Sequence, residues 1–327
     1  MRKAILFVLV AALLLALSAA AWVQRPLPLD TDVAEFTIVP GSPARAVADQ
    51  VVASGVATNP WLLYAWFRLS GQSRQIRAGS YEIDRQATPA SLLDKLVRGE
   101  ESLRSITLLE GWTFSQVRAA LARADHLQAA SRDLSPAEIM QRLGRAGVSA
   151  EGRFFPDTYR YAKNSTDLAL LERAAAAMDQ ELQQAWSQRS AQTPLREAQE
   201  ALILASIVEK ETGVAADRPM IASVFSNRLR IGMRLQTDPT VIYGLGDRFD
   251  GNLRRVDLER DTPWNTYTRA GLPPTPIALP GRDSLRAAVQ PVESTALYFV
   301  ARGDGSSHFS ASLQEHNQAV NKYQRGQ

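Results

Sequence analysis

Residues 202–213 read LILASIVEKETG. Five of the seven residues from Leu202 to Val208 are large aliphatics, and Glu209, Lys210 and Glu211 follow before Gly213 offers a stop. On a helix, Glu209 shares a face with Leu202, Ala205, Ser206 and Thr212, whereas Glu211 lies about 200° away with Leu204, Ile207 and Val208. Both faces are apolar, so the helix is expected to be buried nearly all round. A glutamate held there loses hydration, which disfavours its charged form and raises its pKa. The competing reading is a helix end that both glutamates solvate, or that pairs with Arg and Lys neighbours, and periodicity alone favours that one.

The chain leading to this helix begins with Arg2 and Lys3, then AILFVLVAALLLALSAAAWV, 20 uncharged residues. As a helix this run spans about 30 Å, the thickness of a bilayer core. The two basic residues favour a cytoplasmic N-terminus and export of the rest. A cleaved signal peptide is the alternative, since SAAAW offers small residues at a cleavage point. Either way the bulk of the 327 residues is exported. The absence of cysteine excludes disulfides, thiolate metal sites, a cysteine nucleophile and lipidation at an N-terminal cysteine. An exported, cysteine-free chain points to a bacterial envelope. The net charge of +3 suits an anionic surface but singles out none. No aromatic-interleaved basic stretch suggests nucleic acid.

After the linker QRPLPLDTD, the segment EFTIVPGSPARAVADQVVASGV reads as a strand ending at Pro40-Gly41, an N-cap at Ser42 and a helix with Val47, Val51 and Val52 inward. A helix at NPWLLYAWFRLSG, a strand at IRAGSYEI and a threonine-capped helix at TPASLLDKLVRGE complete the unit. ITLLEGWTFSQVRAALARADHL starts a similar pattern 70 residues later, with Gly111 and Val117 matching Gly41 and Val47. EGRFFPDTYRYAKNST breaks it as a junction. From Asp167 the chain reads as helical, and DTPWNTYTRAGLPPTPIALPGRDSLRAAVQP reads as one long loop. LYFVARGDGSSHFS reads as a hairpin around Gly303–Gly305, and SLQE at Ser312–Glu315 as a capping box. The exported part is α+β.

HExxH, phosphate-binding glycine loops and GxSxG are all missing, and His126, His308 and His316 lack metal-like spacing. No metal or cofactor is expected, and a serine triad using His308 has only turn serines to draw on. The carboxylates remain. A protonated carboxyl facing a cleft is what general-acid cleavage of a glycosidic bond requires. Gln236, Thr237, Asp238, Tyr243, Asn265 and Tyr267, in the loop-rich segments after the helix, can hydrogen-bond and stack on a sugar polymer.

LASIVEKET, ASVFSNRL, RLQTDPTVIYG, NTYTRAGLPPTPI, LPGRDSLRAAVQP and LYFVARGDGSSHFS resemble, in order, the motif series of the YceG-like, MltG-type endolytic murein transglycosylases of bacteria. RAGSYEI, LLEGWT and EGRFFPDTY resemble its upstream signatures. The resemblance implies a single-pass protein of the bacterial inner membrane. Its parts would be an anchor (1–23), a linker (24–33), a periplasmic LysM-like α/β subdomain (34–104), a second strand-helix unit with junction (105–165) and a mainly helical catalytic domain (166–327). The family's catalytic glutamate falls on Glu209, with Glu211 as the alternative in the same motif. Asn227, Gln236, Thr237, Asp238, Tyr243, Asn265 and Tyr267 fall on motif positions as substrate-side residues. Trp264 stands where a tyrosine is common and Thr275 where a glycine often follows LPP. The implied reaction cleaves the N-acetylmuramic acid to N-acetylglucosamine bond of nascent peptidoglycan, and peptidoglycan synthases or other envelope-assembly proteins are the implied partners. Two rivals stay open: a non-enzymatic peptidoglycan-binding scaffold, and a hydrolytic muramidase with Asp238 as second carboxylate.

Overall fold

The computed structural model describes residues 2–326, so the first residue of the expected anchor and the last of the expected catalytic domain lie outside the described residues. The elements run α1 (Arg2–Val23), β1 (Val33–Ile38), α2 (Ala44–Ala53), α3 (Pro60–Leu69), β2 (Gly79–Asp84), α4 (Pro89–Arg98), β3 (Leu103–Thr107), α5 (Phe114–Leu121), α6 (Pro136–Arg142) and β4 (Thr158–Ala162). They continue with α7 (Asp167–Ser187), α8 (Ala198–Glu211), α9 (Arg218–Arg230), α10 (Asp238–Leu245), α11 (Arg255–Glu259), α12 (Arg282–Val289), β5 (Tyr298–Ala301), β6 (Ser307–Ser310) and α13 (Leu313–Gln324). The protein is mixed helix and sheet, with an N-terminal apolar helix and a C-terminal strand pair. It divides into two compact units: residues up to Arg104 with Arg160–Asn164, and Ser105–Tyr159 with residues from Ser165 onward.

In the first unit, α1 includes Ile5–Val23, 19 residues of mean hydropathy 2.6, long and apolar enough to cross a membrane. β1 and β2 pair antiparallel, from Val33 opposite Asp84 to Ile38 opposite Gly79. Period-two alternation in β1 buries Ala34, Phe36 and Ile38, onto which α2, α3 and α4 place Val47, Val51, Leu63, Phe67, Leu92 and Leu96. Thr88 caps α4 in a capping box with Ser91, and Gly99 ends it in the left-handed region at φ 70°. At α2 the expected Ser42 cap is not used: Pro43 holds the N-cap position. The backbone N–H of Ser42 closes the preceding turn onto the Val39 carbonyl, so Ser42 belongs to that turn.

The second unit is built around α8. Ala201 to Val208 are all buried, and α7, α9, α10 and α12 pack around them, as a helix with two apolar faces demands. The expected loop from Asp261 to Pro291 ends sooner than its composition suggests. Its Pro and Gly residues stop at Gly281, after which Ser284, Leu285 and Ala288 give α12 a face that packs on α8. β5 and β6 form the expected hairpin, and Ser312 with Glu315 caps α13.

Candidate active site

Both glutamates sit in the last turn of α8, and the helix points them into different surroundings. On the Glu209 face, the loop before α12 is laid along the helix. The Ile277 N–H donates to Ser206 Oγ at 3.0 Å, and the Gly281 N–H donates to Glu209 Oε2 at 2.9 Å. The same loop is tied back to residues 111–112: the Gly111 N–H donates to the Leu279 carbonyl at 2.8 Å and the Leu279 N–H to the Trp112 carbonyl at 2.7 Å. A side chain at position 281 would collide with the Glu110 carboxyl, 1.8 Å from where its Cβ would lie. The space denied to a Cβ is what lets Glu110 approach Glu209.

Arg218, the first residue of α9, completes this cluster. Its guanidinium lies 3.5 Å from Glu209, 3.6 Å from Asp283 and 4.0 Å from Glu110. The Glu209 and Arg218 side chains are 6% and 11% exposed, against 52% for Glu110 and 73% for Asp283, so the cluster opens to water on the Glu110 and Asp283 side. Burial pushes the Glu110 carboxyl above its usual range and the Glu209 charge adds to this, against the pull of Arg218. A carboxyl gripped by a cation and a backbone N–H at the start of a helix has its anionic form held in place once it has given up a proton.

On the other face, the Thr237 hydroxyl donates to Glu211. Burial pushes Glu211 up to about 7; the Thr237 bond and Arg228 pull it down, and the Asp238 charge pushes it further up. Asp238, exposed at the start of α10, accepts the Tyr267 hydroxyl at 2.6 Å. Gln236 takes a left-handed φ of 48°, which delivers its N–H to the Thr266 carbonyl at 3.2 Å and the Thr237 N–H to Thr266 Oγ1 at 3.0 Å. Gln236, Thr237, Asp238 and Tyr267 are thus gathered on the Glu211 side. The Asn227 and Asn265 amides are spent on backbone carbonyls. The Asn227 amide donates to the Ser294 and Ala296 carbonyls, both at 2.9 Å, and that of buried Asn265 to the carbonyls of Leu258 and Arg260 at 2.9 and 2.7 Å.

Tyr243 leads to a further carboxyl that the sequence alone did not single out. Its hydroxyl donates to Glu151 at 3.2 Å, and the Phe114 N–H at the start of α5 donates to the same carboxyl at 3.0 Å. Burial pushes Glu151 up to about 7 against these bonds. Tyr243 also meets Trp264 edge-on at 5.5 Å, and the Trp264 indole N–H donates to Thr275 Oγ1 at 2.9 Å. The two departures from the family pattern therefore contact each other. Glu110 and Glu151 lie in LLEGWT and EGRFFPDTY, two stretches that carry the family resemblance; Arg218 lies in none. Among the described residues no group of three or more His, Asp or Glu side chains can hold a metal ion, and His308 lies in β6 against the Tyr323 ring at 5.5 Å.

Residues 36–322 match the YceG-like family. A Bacillus subtilis protein named endolytic murein transglycosylase is 30% identical over 307 residues, covering 88% of this chain and 84% of the relative. A Streptococcus pneumoniae D39 protein of the same name is 26% identical over 334 residues, covering 90% of this chain and 59% of the longer relative. The crystal structure of a YceG-like protein from Listeria monocytogenes superposes with a TM-score of 0.55 at 28% identity, covering 88% of this chain and 98% of that one.

Proposed function

Because the chain belongs to the YceG-like family, we propose that it is a membrane-anchored lytic transglycosylase that cuts within peptidoglycan strands, with Glu209 as its acid and base. The enzyme class follows from relatives named endolytic murein transglycosylase. The observation that carries the residue assignment is the Glu209 carboxyl, held between Arg218 and the Gly281 N–H on the side of α8 that opens to water. Glu211, bonded by the Thr237 hydroxyl and within the field of the Arg228 charge, is the alternative.

Glycosidases that add water generally need two carboxyl groups flanking the bond. A transglycosylase needs one. Protonated Glu209 donates to the oxygen joining N-acetylmuramic acid to N-acetylglucosamine, and positive charge develops at the muramic acid C1. The carboxylate left behind, stabilised by Arg218 and Gly281, takes the proton of that sugar's C6 hydroxyl as the oxygen closes on C1. The C1–O bond to the leaving sugar breaks, a C1–O6 bond forms, and the proton count on Glu209 is restored. The product end is 1,6-anhydro and no water is consumed.

In this reading exposed Gln236 and Asp238, with Tyr267, meet the strand on the Glu211 side of α8, away from the bond that Glu209 cuts; Thr237 and Tyr243 support that side through Glu211 and Glu151, and Asn227 and Asn265 hold the segments at 294–296 and 258–260. The strand-helix-helix-strand-helix unit at 34–104 serves as a LysM-like glycan-binding module. With α1 in the inner membrane and the rest in the periplasm, cutting is confined to strands near the bilayer, where synthases and other envelope-assembly proteins work. The test is a digest of purified peptidoglycan by the full chain in detergent and by its Glu209→Gln variant, read by mass spectrometry. Products one water lighter than hydrolysed muropeptides, lost in the variant, are expected. Products carrying the added water would make the enzyme a muramidase, and equal activity of the variant would move the acid to Glu211.

A further inference from the structure

The first unit carries an apolar surface that the proposed reaction does not use. α3, PWLLYAWFRL, is apolar on two sides: Leu63 and Phe67 are buried in the core, while Trp61, Leu62 and Leu69 are 63%, 50% and 85% exposed. At helical spacing Trp61, Leu62, Ala65, Arg68 and Leu69 form one outward stripe. Tyr64 meets Trp61 edge-on at 6.0 Å, and the Arg45 guanidinium lies 3.8 Å over the Trp61 ring.

The position of this stripe along the chain says what covers it. Trp22, near the end of α1, packs against the core of the same unit, and Leu27 is buried with its N–H on the Ala87 carbonyl at 2.8 Å. The exit from α1 is therefore fixed to the unit. Just beyond, the Ala57 N–H donates to the Pro28 carbonyl at 2.8 Å, the Asp30 N–H donates to the Gly55 carbonyl at 2.9 Å, and Leu29 bridges Val56. Those partners are the turn that leads into α3. Residues 24–27 alone separate α1 from this pairing, so Val23 and Pro28 are at most about 18 Å apart when the chain is fully extended. Trp61 follows Ala57 by four residues.

Charge agrees with the placement. Between Asp49 and Glu82 there is no acidic residue, while Arg68, Arg74 and Arg77 fall in that interval. Tryptophan and tyrosine with arginine neighbours, next to a spanning helix, have the composition of a membrane-water interface.

We propose that α3 lies on the anionic surface of the membrane that α1 spans, inserting Trp61, Leu62 and Leu69 among the lipid headgroups. This rests on α1 being a membrane anchor. The stripe enters about 5–10 Å, as interfacial helices do, and it fixes the first unit against the bilayer instead of leaving it to swing on its tether.

The absence of native cysteine makes the test direct. Leu62→Cys, Leu69→Cys, Leu14→Cys and Gln318→Cys, each in the full chain, are labelled with an environment-sensitive fluorophore. They are then reconstituted in phosphatidylcholine vesicles containing phosphatidylglycerol. The substituted leucines are exposed, so folding is not at stake. Nitroxide lipids should remove most of the emission at positions 62, 69 and 14 but not at 318, and iodide should quench only 318. Emission at 14 quenched by lipid while 62 and 69 stay open to iodide would overturn the proposal and leave the anchor standing. Positions 62 and 69 shielded from iodide yet untouched by nitroxide lipid would overturn it in favour of a protein contact. No lipid quenching at 14 would remove the anchor and the proposal together.

Discussion

Glu209 and Glu211 are two residues apart in one helical turn, and the fold gives them opposite environments. Glu209 meets a guanidinium and a helix-start N–H, with two exposed carboxylates marking the way to water. Glu211 meets a threonine hydroxyl inside a shell that pushes it up to about 7. Both side chains are withdrawn from solvent, so burial alone does not define their roles. What differs is the company each keeps: Glu209 faces a guanidinium, a backbone N–H and a route to water, whereas Glu211 faces one hydroxyl in a place where burial works against its charge.

The sharpest way to break this comparison is to neutralise each glutamate separately. Glu209→Gln should lower the rate of strand cleavage by between about a hundredfold and ten-thousandfold, the usual worth of general acid-base catalysis. Glu211→Gln, which keeps the size of the side chain and its bond to the Thr237 hydroxyl, should lower it by less than about tenfold. Initial rates on labelled glycan strands decide; the reverse order would exchange the two roles. Arg218 comes next. Arg218→Gln leaves Glu209 and Glu110 facing each other with no cation, and breaking such a buried pair costs about 3–5 kcal/mol. The lower end is expected because Glu110 and Asp283 remain wet. Urea unfolding measures the loss, and Arg218→Lys should recover part of the activity.

Glu151 extends the comparison to a carboxyl of the Glu211 kind. Its folded value of about 7 stands above the ordinary 4.5, so between those values the folded chain keeps a proton that the unfolded chain has released. Stability from this group is therefore full below about pH 4.5 and is lost as pH rises to about 7, by an amount on the order of 3 kcal/mol. Glu211 contributes the same sign over the same window. Melting temperature should fall from pH 5 to pH 8, and Glu151→Gln should flatten roughly half of that slope. An unchanged slope would mean that Glu151 is ionised in the folded protein.

These contrasts were only partly legible in the sequence. The all-round burial of α8 and the 200° separation of its glutamates follow from helical period, and the β1 strand and the α4 cap follow from alternation and a threonine before proline. The partners of the carboxyls do not follow from any local pattern. Gly281 is 72 residues from Glu209, Phe114 is 37 from Glu151 and Tyr243 is 92 from Glu151. Nothing in the sequence around Arg218 marks it as a partner of Glu209, and the Pro-rich run before α12 dominates the composition of its segment. Spacing fixes which face a side chain takes; tertiary packing decides what waits there.

The smallest effect concerns how the loop carrying Gly281 is held. Trp264 and Thr275 each depart from the pattern the family resemblance leads one to expect, and their hydrogen bond of 2.9 Å makes them one change instead of two. Trp264→Tyr or Thr275→Gly alone removes a bond worth about 1 kcal/mol. The double variant removes nothing further, so the two should couple by about 1 kcal/mol in a thermal double-mutant cycle. Thr275 lies two residues before Ile277 and six before Gly281, both of which bond the Glu209 face of α8. Loosening the pair should therefore lower the cleavage rate through Glu209 and leave the Glu211 to Thr237 contact as it was. An additive cycle would mean that the loop is positioned without the Trp264–Thr275 bond, by its bonds to Ser206 and Glu209 on α8 and to residues 111–112 on its other side.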